Sequence, residues 1–180
     1  RSDDAIAEHD RILALAPDHA RASHNRGIIL HALGRRDEAF AAYERALALE
    51  PDHAGALHNL GILLGEQNRF DEAAACCERL LAIDPDYPHA AGNLAHAKAH
   101  LCDWADRDRL VQRVEEGVRL GKHVCVPFIF LTLSQDSSAQ LACATAHMAD
   151  RHPPDPNPLW TGERYRHDRI RVAYLSADFR

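Results

Sequence analysis

The sequence has few aromatic residues and no long hydrophobic run. Aromatic residues make up 6% of its 180 positions, which disfavours a β-sandwich or barrel, and the abundance of alanine favours closely packed helices. No apolar run reaches the roughly 18 residues that a membrane span requires, and Arg1–Asp4 provide no apolar signal segment. We therefore expect a soluble, helical protein with no membrane partner.

Cysteines are also few, and their spacing is uninformative for metal binding. The chain has five, Cys76, Cys77, Cys102, Cys125 and Cys143, and no two of them have CxxC spacing. An odd number without that spacing indicates neither a disulfide framework nor a zinc site. The pattern is typical of a reducing compartment, so we expect a cytoplasmic protein.

No segment concentrates charge of one sign. The chain has 21 Lys and Arg against 27 Asp and Glu, a formal net charge of −6. Because the basic residues alternate with acidic ones, we expect no nucleic-acid partner. The GxSxG and HExxH motifs are absent, so no catalytic residue is visible. The chain begins at Arg1 and its one methionine is Met148; we expect it to be a piece of a longer protein.

An internal repeat of 34 residues predicts the fold. Pro17, Pro51 and Pro85 are spaced by 34 and stand in Ala-Pro-Asp-His, Glu-Pro-Asp-His and Asp-Pro-Asp-Tyr. About half of the positions are identical when residues 20–53 are aligned with residues 54–87. Fixed periods of this length are the signature of stacked helical repeats, in which each helix pair covers the apolar side of its neighbour.

Small residues at fixed positions identify the type of repeat. Gly27 and Gly61 are expected where two helices cross closely, and Ala39 and Ala73 lie inside the second helix of each pair. With the closing proline, this pattern resembles the tetratricopeptide repeat. The resemblance implies an all-α, right-handed superhelix over residues 1–101, built from a half repeat, two full repeats and a half repeat. Its concave face is expected to consist of the first helix of each pair, here called the A helix.

The 34-residue period ends after Leu101, and three further segments are expected. Residues 102–150 are predicted to form linking and capping helices, the first of which has Leu110, Val111, Val114, Val118 and Leu120 as its apolar side and ends at Gly121. Residues 151–168 are rich in proline and are expected to be an extended linker. Residues 169–180 have a strand pattern, which we interpret as the first strand of a truncated Rossmann-like α/β domain.

Asparagine occupies one repeat position in all three A helices, as Asn25, Asn59 and Asn93. Asparagine is a poor residue for a helix interior, so its recurrence calls for a reason. A carboxamide both donates and accepts hydrogen bonds, and a row of them can hold an extended peptide backbone whatever its side chains are. We predict that these three residues bind peptides on the concave face. The alternative is that each asparagine bonds a neighbouring helix.

Histidines accompany this row. His24 and His58 flank the asparagines, and His96 and His100 have the i,i+4 spacing of a metal-binding pair. A metal site needs a third ligand nearby, typically a carboxylate or a cysteine, and the repeat itself explains His24 and His58 as copies. We therefore expect no metal site.

Three motifs in order give a second resemblance. Leu101-Cys102-Asp103-Trp104 follows the repeats, Pro-Phe-Ile-Phe-Leu-Thr-Leu-Ser follows at residues 127–134, and Arg-Ile-Arg-Val-Ala-Tyr-Leu-Ser-Ala-Asp-Phe-Arg occupies residues 169–180. This order resembles the protein O-linked N-acetylglucosamine transferases, especially the bacterial ones. The resemblance implies that the repeats present protein substrates, that the asparagine row contacts their backbone, and that the final strand opens the first of two lobes that bind a UDP-sugar.

The second resemblance leads to two hypotheses about function. In the first, the chain is the protein-substrate-binding region of an enzyme that transfers N-acetylglucosamine from UDP to Ser or Thr without a metal. The family's catalytic and donor-binding residues come after the last motif, so no catalytic residue and no cofactor site is assigned to this chain. In the alternative, the repeats are a non-catalytic scaffold that mediates protein–protein interaction.

Overall fold

The computed structural model describes residues 2–16, 18–151 and 153, and the regular secondary structure of these residues is α-helical. The nine helices within them are α1 (Ser2–Leu15), α2 (Ala20–Ala32), α3 (Arg36–Leu49), α4 (Ala54–Glu66), α5 (Phe70–Ile83), α6 (Ala90–His100), α7 (Arg107–Arg119), α8 (Pro127–Leu133) and α9 (Ser137–Arg151). The prediction of an all-helical repeat region is confirmed. The predicted strand at 169–180 and nearly all of the linker at 151–168 lie outside the described residues.

The A helices of the three repeats are α2, α4 and α6, and a left-handed residue ends the first two of them. Gly34 has φ 74° and Asn68 has φ 60°, a conformation that glycine and asparagine tolerate best. The N–H of Arg35 donates to the carbonyl of Leu30 at 2.9 Å, and Arg69 repeats this bond 34 residues later. This is the hydrogen bonding of a Schellman motif, and it sets the angle at which α3 and α5 return.

Histidines begin two of the A helices. Nδ1 of His19 accepts a hydrogen bond from the N–H of Ala22, and Nδ1 of His53 accepts one from Ala56, both at 3.2 Å. The third repeat has Tyr87 at this position, followed by a proline, and α6 begins only at Ala90. The third A helix is therefore shorter than the other two.

Each A helix contacts the next one, and each second helix packs between two A helices. Thus α3 contacts α2 and α4, and α5 contacts α4 and α6. The crossing at Gly27 is close, because a Cβ atom there would lie 2.5 Å from Cε1 of Tyr43. At Gly61 the nearest atom is the Cβ of Cys76 at 3.5 Å, an ordinary contact distance. The predicted close crossing therefore applies to Gly27 more than to Gly61.

Helix α7 continues the packing of the repeats although the sequence period has ended. The Arg79 guanidinium donates to the carbonyl of Pro51 at 2.8 Å, and Arg113 in α7 donates in the same way to Pro85. Gly121, with φ 71°, ends the helix as predicted. The predicted apolar side needs one correction, because Leu120 is 66% exposed while Leu110, Val114 and Val118 are buried.

Helices α8 and α9 pack against the C-terminal end of the repeats. Pro127 stands in the first turn of α8, where its missing N–H has no helical partner to lose. Phe130 is fully buried, and α8 contacts both α6 and α9. None of the described helices combines the length and the apolar character needed to cross a bilayer.

Candidate peptide-binding face

The candidate site is the side of the A helices that carries the asparagine row. We define the A-helix face by four repeat positions with i, i+3, i+4 and i+7 spacing, which places them on one side of a helix. Its members are Arg21, His24, Asn25 and Ile28 at α2, Gly55, His58, Asn59 and Ile62 at α4, and His89, Gly92, Asn93 and His96 at α6.

The three predicted asparagines are all half-buried, but their surroundings differ. Nδ2 of Asn59 lies 2.9 Å from Nε2 of His24, a side chain of the preceding A helix. The alternative interpretation, in which the asparagine bonds a neighbouring helix, therefore describes Asn59. Asn25 and Asn93 have no side-chain hydrogen bond to any residue that the structure describes, so both carboxamides are available to a ligand.

Each of these two carboxamides lines a recess. Asn25 borders a cavity of about 320 Å³ together with His9, His19, Arg21 and Ala22. Asn93 borders a pocket of about 260 Å³ between α4 and α6. We call the second one the α4–α6 pocket; its lining residues are Gly61, Ile62, Gly65, Glu66, Phe70, Ala73, Cys77, Asn93, His96 and Ala97.

The histidines of the A-helix face are held in the neutral form. Burial is the main cause that lowers the pKa of His24, His58, His89 and His96. The charge of a second histidine adds to the shift in each case, and the pairs include His24 with His53, whose ring centroids are 4.7 Å apart. Because neutral imidazole both donates and accepts hydrogen bonds, these rings extend the capacity of the asparagine row.

This arrangement makes stability depend on pH. The folded state lowers the pKa of these four histidines, so the unfolded chain binds more protons as the pH falls through the ordinary histidine range near 6.5. We expect the free energy of unfolding, measured by urea denaturation, to be lower at pH 5 than at pH 7.5. His58→Gln should weaken this dependence, and equal stability at the two pH values would contradict the prediction.

The His96 and His100 pair serves aromatic packing. The His100 ring stacks on Phe70 at a centroid distance of 4.1 Å, and the His96 ring meets His100 edge-on at 4.5 Å. Among residues 2–16, 18–151 and 153, no group of three or more His, Cys, Asp or Glu is placed to hold a metal ion.

The thiols near the face are poor nucleophiles. Burial raises the pKa of Cys77 and of Cys125 to about 12, so both thiols stay protonated at neutral pH. They act as small apolar side chains, Cys77 in the α4–α6 pocket and Cys125 against α6.

The chain's own backbone covers the first turn of the third A helix. The N–H of His89 donates to the carbonyl of His123 at 2.6 Å, and the N–H of Gly92 donates to that of Val124 at 3.0 Å. A Cβ atom on Gly92 would lie 2.5 Å from Sγ of Cys125. Residues 122–126 therefore occupy the position where His24 and His58 stand in the earlier repeats.

Sequence reasoning missed this segment and the α4–α6 pocket. Both had a signal in the repeat alignment, because Gly92 interrupts the column of His24 and His58, and Cys77 stands where the first repeat has Tyr43. Comparing the repeats for their differences, as well as for their common residues, would have indicated both features.

Comparisons with known proteins agree with the repeat architecture. Two family models described as tetratricopeptide repeat match the chain, one over residues 30–98 and one over residues 1–54. A comparison with curated protein sequences gives no significant match.

Solved structures with the same architecture include repeat proteins and an enzyme. MamA 41-end from Desulfovibrio magneticus RS-1 is 16% identical with a TM-score of 0.59, over 86% of this chain and 88% of that one. A double mutant of MamA RS-1 is 16% identical with a TM-score of 0.60, over 83% and 85%. At this identity the similarity concerns the fold alone.

A mutant of the Thermobaculum terrenum O-GlcNAc transferase is 28% identical with a TM-score of 0.55. The similarity covers 67% of this chain and 24% of the transferase, so the chain spans about a quarter of that enzyme. The family models and the helix pairs together show that residues 1–98 of this chain carry tetratricopeptide repeats, the architecture of protein-interaction scaffolds.

Proposed function

We propose that this chain is the protein-substrate-binding region of a cytoplasmic, bacterial, UDP-sugar-dependent protein O-glycosyltransferase, which transfers N-acetylglucosamine to Ser or Thr. The observation that carries the proposal is the 28% identity to an O-GlcNAc transferase over two thirds of this chain. The three motifs in the order found at Leu101, at residues 127–134 and at residues 169–180 support it.

In this proposal the A-helix face holds the substrate as an extended segment. The carboxamides of Asn25 and Asn93 would bond its backbone directly. The Oδ1 atom of Asn59 also has no partner among the described residues, although its Nδ2 is engaged by His24. Donor binding and sugar transfer are assigned to other parts of the complete enzyme, and this chain contributes substrate presentation.

Replacing Asn25, Asn59 and Asn93 together with alanine tests the proposal. Each lost hydrogen bond to a backbone contributes about 0.5–1.5 kcal/mol, so peptide binding should weaken at least about tenfold. Fluorescence anisotropy with labelled Ser/Thr-containing peptides measures this change. Gln112→Ala with Gln135→Ala removes two exposed carboxamides away from the A-helix face and should leave binding unchanged.

An experiment on the complete protein distinguishes the glycosyltransferase hypothesis from the scaffold hypothesis. There, the triple variant should lose glycosylation of protein substrates while it keeps hydrolysis of UDP-N-acetylglucosamine. If the complete protein binds peptides but transfers no sugar, the glycosyltransferase hypothesis is wrong and the scaffold hypothesis is supported. Circular dichroism shows whether the helices survive, and the Asn25→Ala, Asn93→Ala double variant keeps the bond between Asn59 and His24 as a second check.

A further inference from the structure

We propose that the α4–α6 pocket is a specificity site that receives one aromatic or branched aliphatic side chain of the peptide bound on the A-helix face. This inference rests on the proposed peptide-binding function and adds a sequence preference to it. A row of carboxamides recognises backbone alone, so any selectivity among substrates must come from other contacts of this kind.

The pocket exists because the second repeat has smaller residues than the first. Between α2 and α4 the fully buried ring of Tyr43 lies against Gly27, and His31 bonds Glu66 at 3.1 Å. The corresponding residues between α4 and α6 are Cys77 and Gly65, and nothing lies within 4 Å of a Cβ atom built on Gly65. The space that a tyrosine ring and an imidazole fill in one repeat is open in the next.

The interior of the pocket is apolar. Of its lining residues, Ala73, Cys77 and Ala97 are buried, and Ile62 and Phe70 are half-buried. The raised pKa of Cys77 keeps the thiol uncharged. A volume of about 260 Å³ exceeds the roughly 150 Å³ of an apolar cavity that takes up benzene. The pocket therefore suits a single large apolar side chain.

The residues at the rim of the pocket favour an extended peptide whose inserted residue is not acidic. Asn93 is half-buried and lines the pocket, and its carboxamide has no hydrogen bond to any described residue. It can therefore bond the backbone of the peptide residue that inserts. His96 is neutral because burial lowers its pKa. Glu66 is exposed at the rim, where its carboxylate lies 3.1 Å from Nε2 of His31 and 3.6 Å from Nε of Arg36. A second carboxylate, from an Asp or Glu of the peptide, would lie in an apolar pocket beside this one, which disfavours acidic residues.

The chain itself shows that the first turn of α6 donates hydrogen bonds to a non-helical segment of backbone. Residues 122–126 lie along the start of this helix with two backbone hydrogen bonds, and the Cys125 side chain packs on Gly92. Gly92 is the neighbour of Asn93 in the helix. The combination of backbone hydrogen bonds with one inserted side chain, proposed here for the ligand, is thus already present beside the pocket.

Filling the pocket provides the test. Cys77→Tyr gives the second repeat the residue of the first, and Gly61 leaves room for the ring as Gly27 does for Tyr43. Gly65→Leu fills the same pocket from α4 and decides the question if the tyrosine variant does not fold. Ala75→Tyr is the matched control, because it adds the same ring at an exposed position of α5.

The ligands are nine-residue peptides of Ser and Gly with one central Phe, Leu, Gly or Asp, and fluorescence anisotropy measures their affinities for the full chain. We expect the Phe and Leu peptides to bind the unmodified protein about tenfold or more tightly than the Gly and Asp peptides. This preference should disappear in Cys77→Tyr and Gly65→Leu and persist in Ala75→Tyr.

The two proposals fail in different ways. Equal binding of all four peptides by the unmodified protein, or an unchanged preference in the filled variants, overturns the specificity site and leaves the peptide-binding function standing. If no peptide binds the unmodified protein, the peptide-binding function fails, and the specificity site fails with it.

Discussion

Phe130→Ala is expected to lower the free energy of unfolding by about 3–5 kcal/mol, the range for removing a phenylalanine from a packed interior. Phe130 has no exposed surface, and its helix α8 touches both α6 and α9. The substitution leaves a cavity at the junction between the repeats and the C-terminal helices. Urea denaturation followed by circular dichroism measures the loss.

Phe128→Ala is the matched control for this prediction. It makes the same substitution two residues earlier in α8, where the side chain is 77% exposed. Surface substitutions of this kind change stability by less than about 0.5 kcal/mol. Equal losses for the two variants would show that α8 does not pack on the repeats through Phe130.

Gly92→Ala is expected to destabilise the protein by about 1–3 kcal/mol, the usual cost of overpacking. Alanine inside a helix is normally more stable than glycine by roughly 0.5–1 kcal/mol. Here the new Cβ atom would lie 2.5 Å from Sγ of Cys125 and 2.9 Å from its Cα. Because the second contact is with backbone, residues 122–126 must move, and the hydrogen bond from Gly92 to Val124 is strained.

Gly65→Ala makes the same substitution in α4 where a Cβ atom meets nothing within 4 Å. It should raise the free energy of unfolding by about 0.5–1 kcal/mol. Opposite signs for the two glycines in urea denaturation are the expected result. A gain of stability in both variants would mean that residues 122–126 do not rest on α6.

The helix pairs could be predicted from the sequence because the 34-residue period determines them locally. The prolines end helices, Gly34 and Asn68 supply the left-handed turn residues, and the small residues allow close crossing. The late start of α6 could not be predicted from the period, since Pro88 and His89 depart from it. The contact of residues 122–126 with α6 could not be predicted from the period either. Its one signal in the sequence is Gly92, which stands where the earlier repeats have a histidine.

The sequence predicted only those residues of the candidate site that recur in every repeat. The register placed Asn25, Asn59 and Asn93 on three successive A helices, but the bond between Asn59 and His24 depends on how α2 and α4 are oriented. The α4–α6 pocket depends on side-chain volumes at positions where the repeats differ. A consensus of the repeats removes such differences, so it predicts the asparagine row and leaves the pocket out.

The contact between residues 122–126 and α6 limits where further repeats can be inserted. A 34-residue unit inserted between α3 and α4 would find the same neighbours on both sides that the existing repeats have. A unit inserted between α6 and α7 would instead bring a new A helix next to residues 122–126, and that helix would have to supply the glycine and the free N–H groups that Gly92 and His89 now provide. Repeat number can therefore change by duplication upstream of α6, while α6 keeps a fixed junction with α7 and α8.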